Sequence, residues 1–183
     1  MINYIPIKRT NPELFTGNPS AWGDIPTILV DIIERFKINP KTALEFGTEY
    51  GYSTSALANY FESVTGVDVY VGDTQTGIKK DHYEYTKKCL SKWENINLIK
   101  SDYRDFIKTN NDHYDLIHID ILHTYDATFG CGDWALMHSD IVIFHDTESF
   151  PIIKQVCKDL STKHNFEFYN YVPSHGLGIL VKK

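Results

Sequence analysis

The chain has 183 residues, 42% of them apolar and 23% charged, and a formal net charge of −6. That length suits one domain with a substantial core, and no repeat, low-complexity tract or linker divides residues 1–183. The acidic balance argues against nucleic acid or an anionic membrane surface as a general partner. Cys89, Cys131 and Cys157 are odd in number, far apart and in no C-x-x-C pair, which reads as reduced thiols in a cytoplasmic compartment. MINYIPIKRTNPELF lacks the apolar run of a signal peptide, and no stretch approaches the length of a membrane span. A soluble intracellular protein is the expectation.

In chain order, residues 1–22 carry Pro6, Pro12 and Pro19 and read as an irregular arm. IPTILVDIIERF (25–36) has helical apolar spacing and is expected to cover a sheet edge. KTALEF (41–46) is a short apolar run closed by glycine, the signature of a buried strand, and STSALANYF (53–61) follows as a helix with Ser53 or a neighbour as its cap. SVTGVDV (63–69), NINLIKSD (95–102), YDLIHID (114–120) and DIVIFHD (140–146) read as strands. Between them DHYEYTKKCLSKW (81–93), YRDFIK (103–108) and GDWALMH (132–138) read as helices, the last capped by Asp133. FPIIKQVCKDLSTKH (150–164) begins with Pro151 at a first helical position. FEFYNYV (166–172) and LGILVKK (177–183) are too close for a helical crossover and should pair antiparallel. The expected fold is α/β: a Rossmann-like, doubly wound, mostly parallel seven-stranded sheet with a C-terminal antiparallel hairpin.

In such sheets ligands sit beyond the carboxyl ends of the strands. The loop there is LEFGTEYGYST (44–54), with Gly47 and Gly51 spaced G-x-x-x-G and Glu49 where the dinucleotide fingerprint requires glycine. Residues 42–78 contain no lysine or arginine. A pyrophosphate would meet Glu45 and Glu49 in a partly dry site and be repelled. A cationic adenosine cofactor such as S-adenosylmethionine (SAM) fits better, its sulfonium and amino groups suited to carboxylates and its carboxylate to Ser53 and the helix N-terminus. Asp68, at the end of the second strand, is placed to accept ribose hydroxyls, although that spacing alone fits a nicotinamide cofactor equally.

This loop resembles the first motif of class I SAM-dependent methyltransferases, especially the catechol-type O-methyltransferases with E-x-G-x-x-x-G-Y-S. The resemblance implies Gly47 and Ser53 at the methionine part, Asp68 at the ribose, and Asp102 with Tyr103 near the adenine. A helix cap is the alternative for Asp102.

A second stretch, HIDILHTYDATFGCGDW (118–134) followed by IVIFHDT (141–147), carries the candidate chemistry. Residues 109–153 contain no lysine or arginine but eight acidic residues and five of the eight histidines. That composition suits a divalent cation, or a base acting on a neutral acceptor. Asp120 and Asp146 end strands expected to be adjacent and could hold Mg²⁺ or a similar ion, with His145 as a third ligand for a softer one. Asp120 faces the cofactor crevice as well. His123 lies one short turn beyond Asp120 and titrates in the range needed to take a hydroxyl proton. A loop histidine bonded to backbone is the alternative for His123, and a structural donor for His145. The D-x-x-H-x-Y and H-D-T patterns resemble metal-dependent sugar and macrolide O-methyltransferases. That implies Asp120 and Asp146 as metal ligands, His145 as a further one and His123 as general base. HSD (138–140) replaces the Pro-Gly-Gly usual in those proteins.

The expected function is SAM-dependent O-methylation of a small hydroxylated acceptor, with homo-oligomerisation open. The rivals are an NAD-dependent oxidoreductase, a non-catalytic SAM-binding subunit, and an N-methyltransferase. The last is opposed by DILH (120–123), which stands where an acidic-aromatic PPY-type tetrapeptide would be.

Overall fold

The computed structural model describes residues 1–18, 20–72 and 80–183. Its eight strands are β1 (Ile2–Asn3), β2 (Thr42–Phe46), β3 (Ser63–Asp68), β4 (Ile96–Lys100), β5 (Leu116–Ile119), β6 (Ile141–His145), β7 (Phe166–Tyr171) and β8 (Leu177–Lys182). The helices are α1 (Ile25–Arg35), α2 (Tyr52–Ala58), α3 (Tyr83–Cys89), α4 (Tyr103–Thr109), α5 (Tyr125–His138) and α6 (Pro151–Lys163). All the strands form one sheet in the order β1-β7-β8-β6-β5-β2-β3-β4. β8 pairs antiparallel with β6 and β7, and every other pairing is parallel. The chain winds outward from β2 to β3 and β4, then returns to β5 and β6 on the other side, so the switch point lies between β2 and β5. Crevices open at the carboxyl ends of strands there.

The seven expected strands and the closing hairpin are present. The arm adds an eighth, because Ile2 and Asn3 pair with Tyr169 and Asn170 on the β7 edge. A strand of two residues has no alternation from which to read it.

The pleat sorts the sheet into two faces. Leu44, Phe46, Ile117, Ile119, Val142 and Phe144 join one core with residues of α5 and α6. Ala43, Leu116, Ile141, Ile143 and Ile179 join the other with Ile25, Ile28, Leu29 and Ile32 of α1 and Ala56 and Leu57 of α2. Thus α1 packs on this face beside α2. Its fully buried isoleucines and leucine each contribute about 1.5–3 kcal/mol of apolar burial.

Three local expectations fail for packing reasons. α5 runs for 14 residues from Tyr125, not only over 132–138, and Thr124 is its cap. Of the glycines that look like breakers, Gly132 is an approach device: a Cβ there would stand 2.5 Å from Leu160 Cδ1 and 2.9 Å from Phe144 Cζ. Asp133 is therefore mid-helix, not a cap, and binds Lys163 and His164 across to the end of α6. Ser53 is also not a cap. α2 starts from Gly51 at φ +86° with no side-chain capping bond, and a side chain there would meet Leu90.

The arm is fastened along its length. Buried Asp31 of α1 accepts from the Tyr4 hydroxyl and from the Ile7 and Lys8 N–H groups, both at 3.1 Å, and pairs with Arg35 at 2.9 Å. Farther on, Phe15 N–H donates to Ser55 of α2 and Asp24 N–H to Ser174 of the β7–β8 loop. These ties bring residues 20–22 back over the strand ends. Asp31→Ala leaves a buried hydroxyl and two backbone donors without their acceptor. It is expected to lower unfolding free energy by about 3 kcal/mol, measured by urea denaturation, with Asp31→Asn losing less.

Candidate active site

At the carboxyl ends of β2, β3, β5 and β6 lies a cleft of about 590 Å³, within the size range of small-molecule sites. Gly47, Glu49, Ser53, Asp68, Asp102, Tyr103, Asp120, His123, His145 and Asp146 all line it. Arg104 is the one lysine or arginine among its described lining residues, and it is engaged: its Nε and Nη2 donate to Asp102 at 2.9 and 2.6 Å. This pairing holds the Asp102 carboxyl below the ordinary range. Asp102 also accepts from Arg104 N–H as the cap of α4, so the capping role is real while its side chain still borders the cleft.

Two expected ligand residues lie behind the wall. Glu45 shares pleat parity with Ala43 and is paired in register with His118. Its carboxylate is wholly buried, accepting from Thr54 and lying 2.9 Å from His118 Nδ1. Trp22 packs edge-on to His118 at 4.8 Å, closing this layer off. Gly51 likewise serves the approach of α2 to Leu90. Neither residue lines the cleft.

Gly47 sets the floor. Its φ is +94°, and an added Cβ would fall 1.8 Å from the Asp120 carbonyl oxygen. The same crossing is sealed by Asp120 N–H donating to Phe46 O at 2.9 Å. At one end of the cleft Asp68 accepts the N–H groups of Glu49 (2.8 Å) and Tyr70 (2.6 Å). Burial nevertheless raises its pKa above the usual value, the two N–H donors offsetting only part of that rise.

At the other end Asp120 and Asp146 follow β5 and β6, and Asp146 adopts φ +65°. A left-handed aspartate is uncommon and concentrates where a site fixes it. His123 Nε2 stands 3.0 Å from Asp146 Oδ2 and 3.4 Å from Asp120 Oδ1, its ring stacked on Phe150 at 4.1 Å and 6°. Ligand atoms of Asp120, His123 and Asp146 all lie within 4.8 Å of one another. His145 contributes from the side: Nε2 is 3.1 Å from the Ser174 carbonyl, and Nδ1 is 3.1 Å from Asp120 Oδ2 and 3.5 Å from Asp146 Oδ2. A carbonyl only accepts, so Nε2 carries a hydrogen and Nδ1 is the atom turned to the carboxylates. The structural-donor role foreseen for His145 and its place beside the acids therefore coexist.

The electrostatics follow from this crowding. Burial pulls the His123 pKa down, but the two carboxylates outweigh it and raise the value to about 9. His145 is raised by the same acids against its own burial. Burial would lift the Asp120 pKa, yet hydrogen bonds from His123 and His145 carry it far below the carboxylate range. Phe150 and Trp22 complete this end of the wall. Nothing in the sequence marks them as site residues, because their positions come from the start of α6 and the fastened arm rather than from strand ends.

Solved structures share this architecture. A methyltransferase of Podospora anserina bound to S-adenosylhomocysteine (SAH) superposes with TM-score 0.63 at 14% identity, over 83% of this chain and 76% of that one. A candidate O-methyltransferase of Klebsiella pneumoniae gives 0.65 at 15% identity, over 93% and 84%. An O-methyltransferase of Bacillus cereus in complex with SAH gives 0.55 at 16% identity, over 78% and 74%. No curated protein matches the sequence. The family described as "Methyltransferase domain" matches residues 44–147, more than half the chain and the whole run from the Gly47 loop to the acids after β6. The chain belongs to that methyltransferase family.

Proposed function

We propose that this protein is a SAM-dependent O-methyltransferase acting on a small hydroxylated acceptor, assisted by a divalent cation. The observation that carries the reading is the meeting of Asp120, His123 and Asp146 in the same cleft as Asp68. One end thereby offers acceptors for an adenosine, and the other offers hard oxygen ligands beside a base. Two of the similar structures are of proteins described as O-methyltransferases or candidates for that activity.

The residues fit both groups. Asp68 offers carboxylate oxygens to ribose hydroxyls, Gly47 lines the cleft, and Ser53 stands at the start of α2. Asp102 and Tyr103 border the adenine end in this reading. When bound, SAM supplies a methyl group activated by sulfonium charge. For a divalent cation, Asp120 and Asp146 would provide oxygen ligands and His145 Nδ1 a nitrogen. Such a cation would supply Lewis acidity that makes an acceptor hydroxyl easier to ionise.

The chain's own part is orientation and proton handling. Asp68 fixes one end of the donor and Gly47 the floor beneath it. Trp22 and Phe150 shield the other end from water, which strengthens the charges inside. His123 takes the acceptor proton at Nε2, and must first be neutral. With the acids otherwise uncompensated it holds a proton up to about pH 9. Asp120 and Asp146 would hold the cation, and once so engaged they would attract the His123 proton less, which would couple base and metal site.

His123→Ala is expected to retain SAH affinity while turnover falls roughly 10²–10⁴-fold. Calorimetry and methyl-transfer assays on the same preparation separate the two effects. Undiminished turnover would remove His123 from the chemistry, and activity indifferent to both EDTA and Asp146→Asn would remove the cation. Without cation, His123 also links stability to pH. Its folded pKa of about 9 exceeds the ordinary 6.5. Its contribution is therefore complete below pH 6.5 and is lost as pH rises through about 9. The melting temperature of EDTA-treated protein should fall across that interval, and His123→Gln should flatten the fall.

A further inference from the structure

The cleft wall beside Asp68 carries a polar atom that the foregoing chemistry leaves unused. His82 immediately precedes α3 and is 7% exposed. Its Nδ1 lies 3.2 Å from the Lys80 carbonyl oxygen. Because that oxygen can only accept, Nδ1 carries the ring hydrogen, and Nε2 of the neutral ring is an acceptor. Nε2 is buried and meets no donor among the described residues. The ring is held by Tyr50 at 4.7 Å and Tyr70 at 5.7 Å. A buried acceptor without a donor is costly, and native structures rarely keep one without a reason.

Its location supplies the reason. His82 and Asp68 line the same cleft and are joined by a short backbone relay. His82 N–H donates to Tyr70 O at 2.9 Å, and Tyr70 N–H donates to Asp68 Oδ1 at 2.6 Å. Glu49 N–H occupies one lone pair of Oδ2. Asp68 thus retains acceptor capacity on both oxygens, and the His82 ring, with its unused acceptor, belongs to the same wall.

We infer that His82 is a ribose-binding residue: Nε2 accepts a hydrogen bond from one of two vicinal hydroxyls while Asp68 accepts from the other. This rests on the SAM reading above and names a contact that the strand-end acids alone do not provide. An imidazole acceptor next to a carboxylate is satisfied by a diol, which brings two donors. A ribose bearing a phosphate on one of these hydroxyls loses that donor and sets negative charge against Asp68, and is rejected. A deoxyribose leaves one of the two protein acceptors without a donor.

The test measures calorimetric affinities of SAH and of its 2′-deoxy and 3′-deoxy forms for wild type and for His82→Phe. Phenylalanine keeps a flat ring between Tyr50 and Tyr70 and lacks Nε2. SAH is expected to bind His82→Phe about three- to tenfold more weakly. One of the two deoxy ligands should bind wild type and variant equally, because the hydroxyl that His82 would receive is gone. His82→Leu serves the same comparison if the phenylalanine variant does not fold. SAH affinity within twofold of wild type in the substituted protein, or an equal loss for SAH and both deoxy ligands, overturns the assignment. Failure of wild type itself to bind SAH overturns the cofactor reading, and the inference with it.

Discussion

Negative charge is concentrated where the sheet presents its ligands. β3, β5 and β6 deliver Asp68, Asp120 and Asp146 to one cleft, and its single described arginine is committed to Asp102. Such a constellation demands compensation. In the protein alone it is met by backbone N–H groups at Asp68 and by protonated imidazole at the other end, where His123 sits between two carboxylates. In the proposed reading a ligand completes this compensation: hydroxyl donors would add to the N–H groups at Asp68, and a metal ion would stand in for the imidazole proton at Asp120 and Asp146. The site's chemistry is in this sense an exchange of neutralising partners over a fixed frame of acids.

That frame is rigid because the backbone beneath it leaves no room. Gly47 passes so close to the Asp120 carbonyl that only glycine fits, which locks the first loop to the end of β5. Asp146 is turned by a left-handed backbone toward His123, and Phe150 backs that ring. Behind the wall the Thr54–Glu45–His118 chain forms a second polar layer under Trp22. In this wholly buried chain the Glu45 carboxylate is met on both oxygens, by Thr54 and by His118 Nδ1. It also ties α2, β2 and β5 together directly below the ligand floor.

Much of this was legible in the residues. Parallel strands buried on both faces leave short apolar runs, and acids closing those runs identify Asp68, Asp120 and Asp146 as members of one crevice. Parity was the limit for Glu45. It lies one residue before the strand end, on the face of Ala43, so the pleat turns it toward α2 and His118 rather than into the cleft. Gly130 and Gly132 hid the first half of α5; for Gly132 the requirement is close packing against Leu160 and Phe144, a property of the assembled molecule. Trp22, His82 and Phe150 were invisible as site residues for a similar reason. Each is brought to the wall by bonds made outside its own element: the arm through Asp31 and Ser174, the segment before α3 through Tyr70, and the start of α6 through a turn in which the Asp146 carbonyl accepts Phe150 N–H at 2.9 Å.

The lining also separates the chemistry from that of other adenosine-binding sheets. A dinucleotide would bring its pyrophosphate to a loop holding Glu49 and no lysine or arginine, whereas a sulfonium brings charge of the sign the acids favour. The direct measurement is a competition titration by calorimetry on the full chain. SAM should bind at a single saturable site from which excess NAD does not displace it. Tight binding of NAD in the cleft, undisturbed by SAM, would contradict the account.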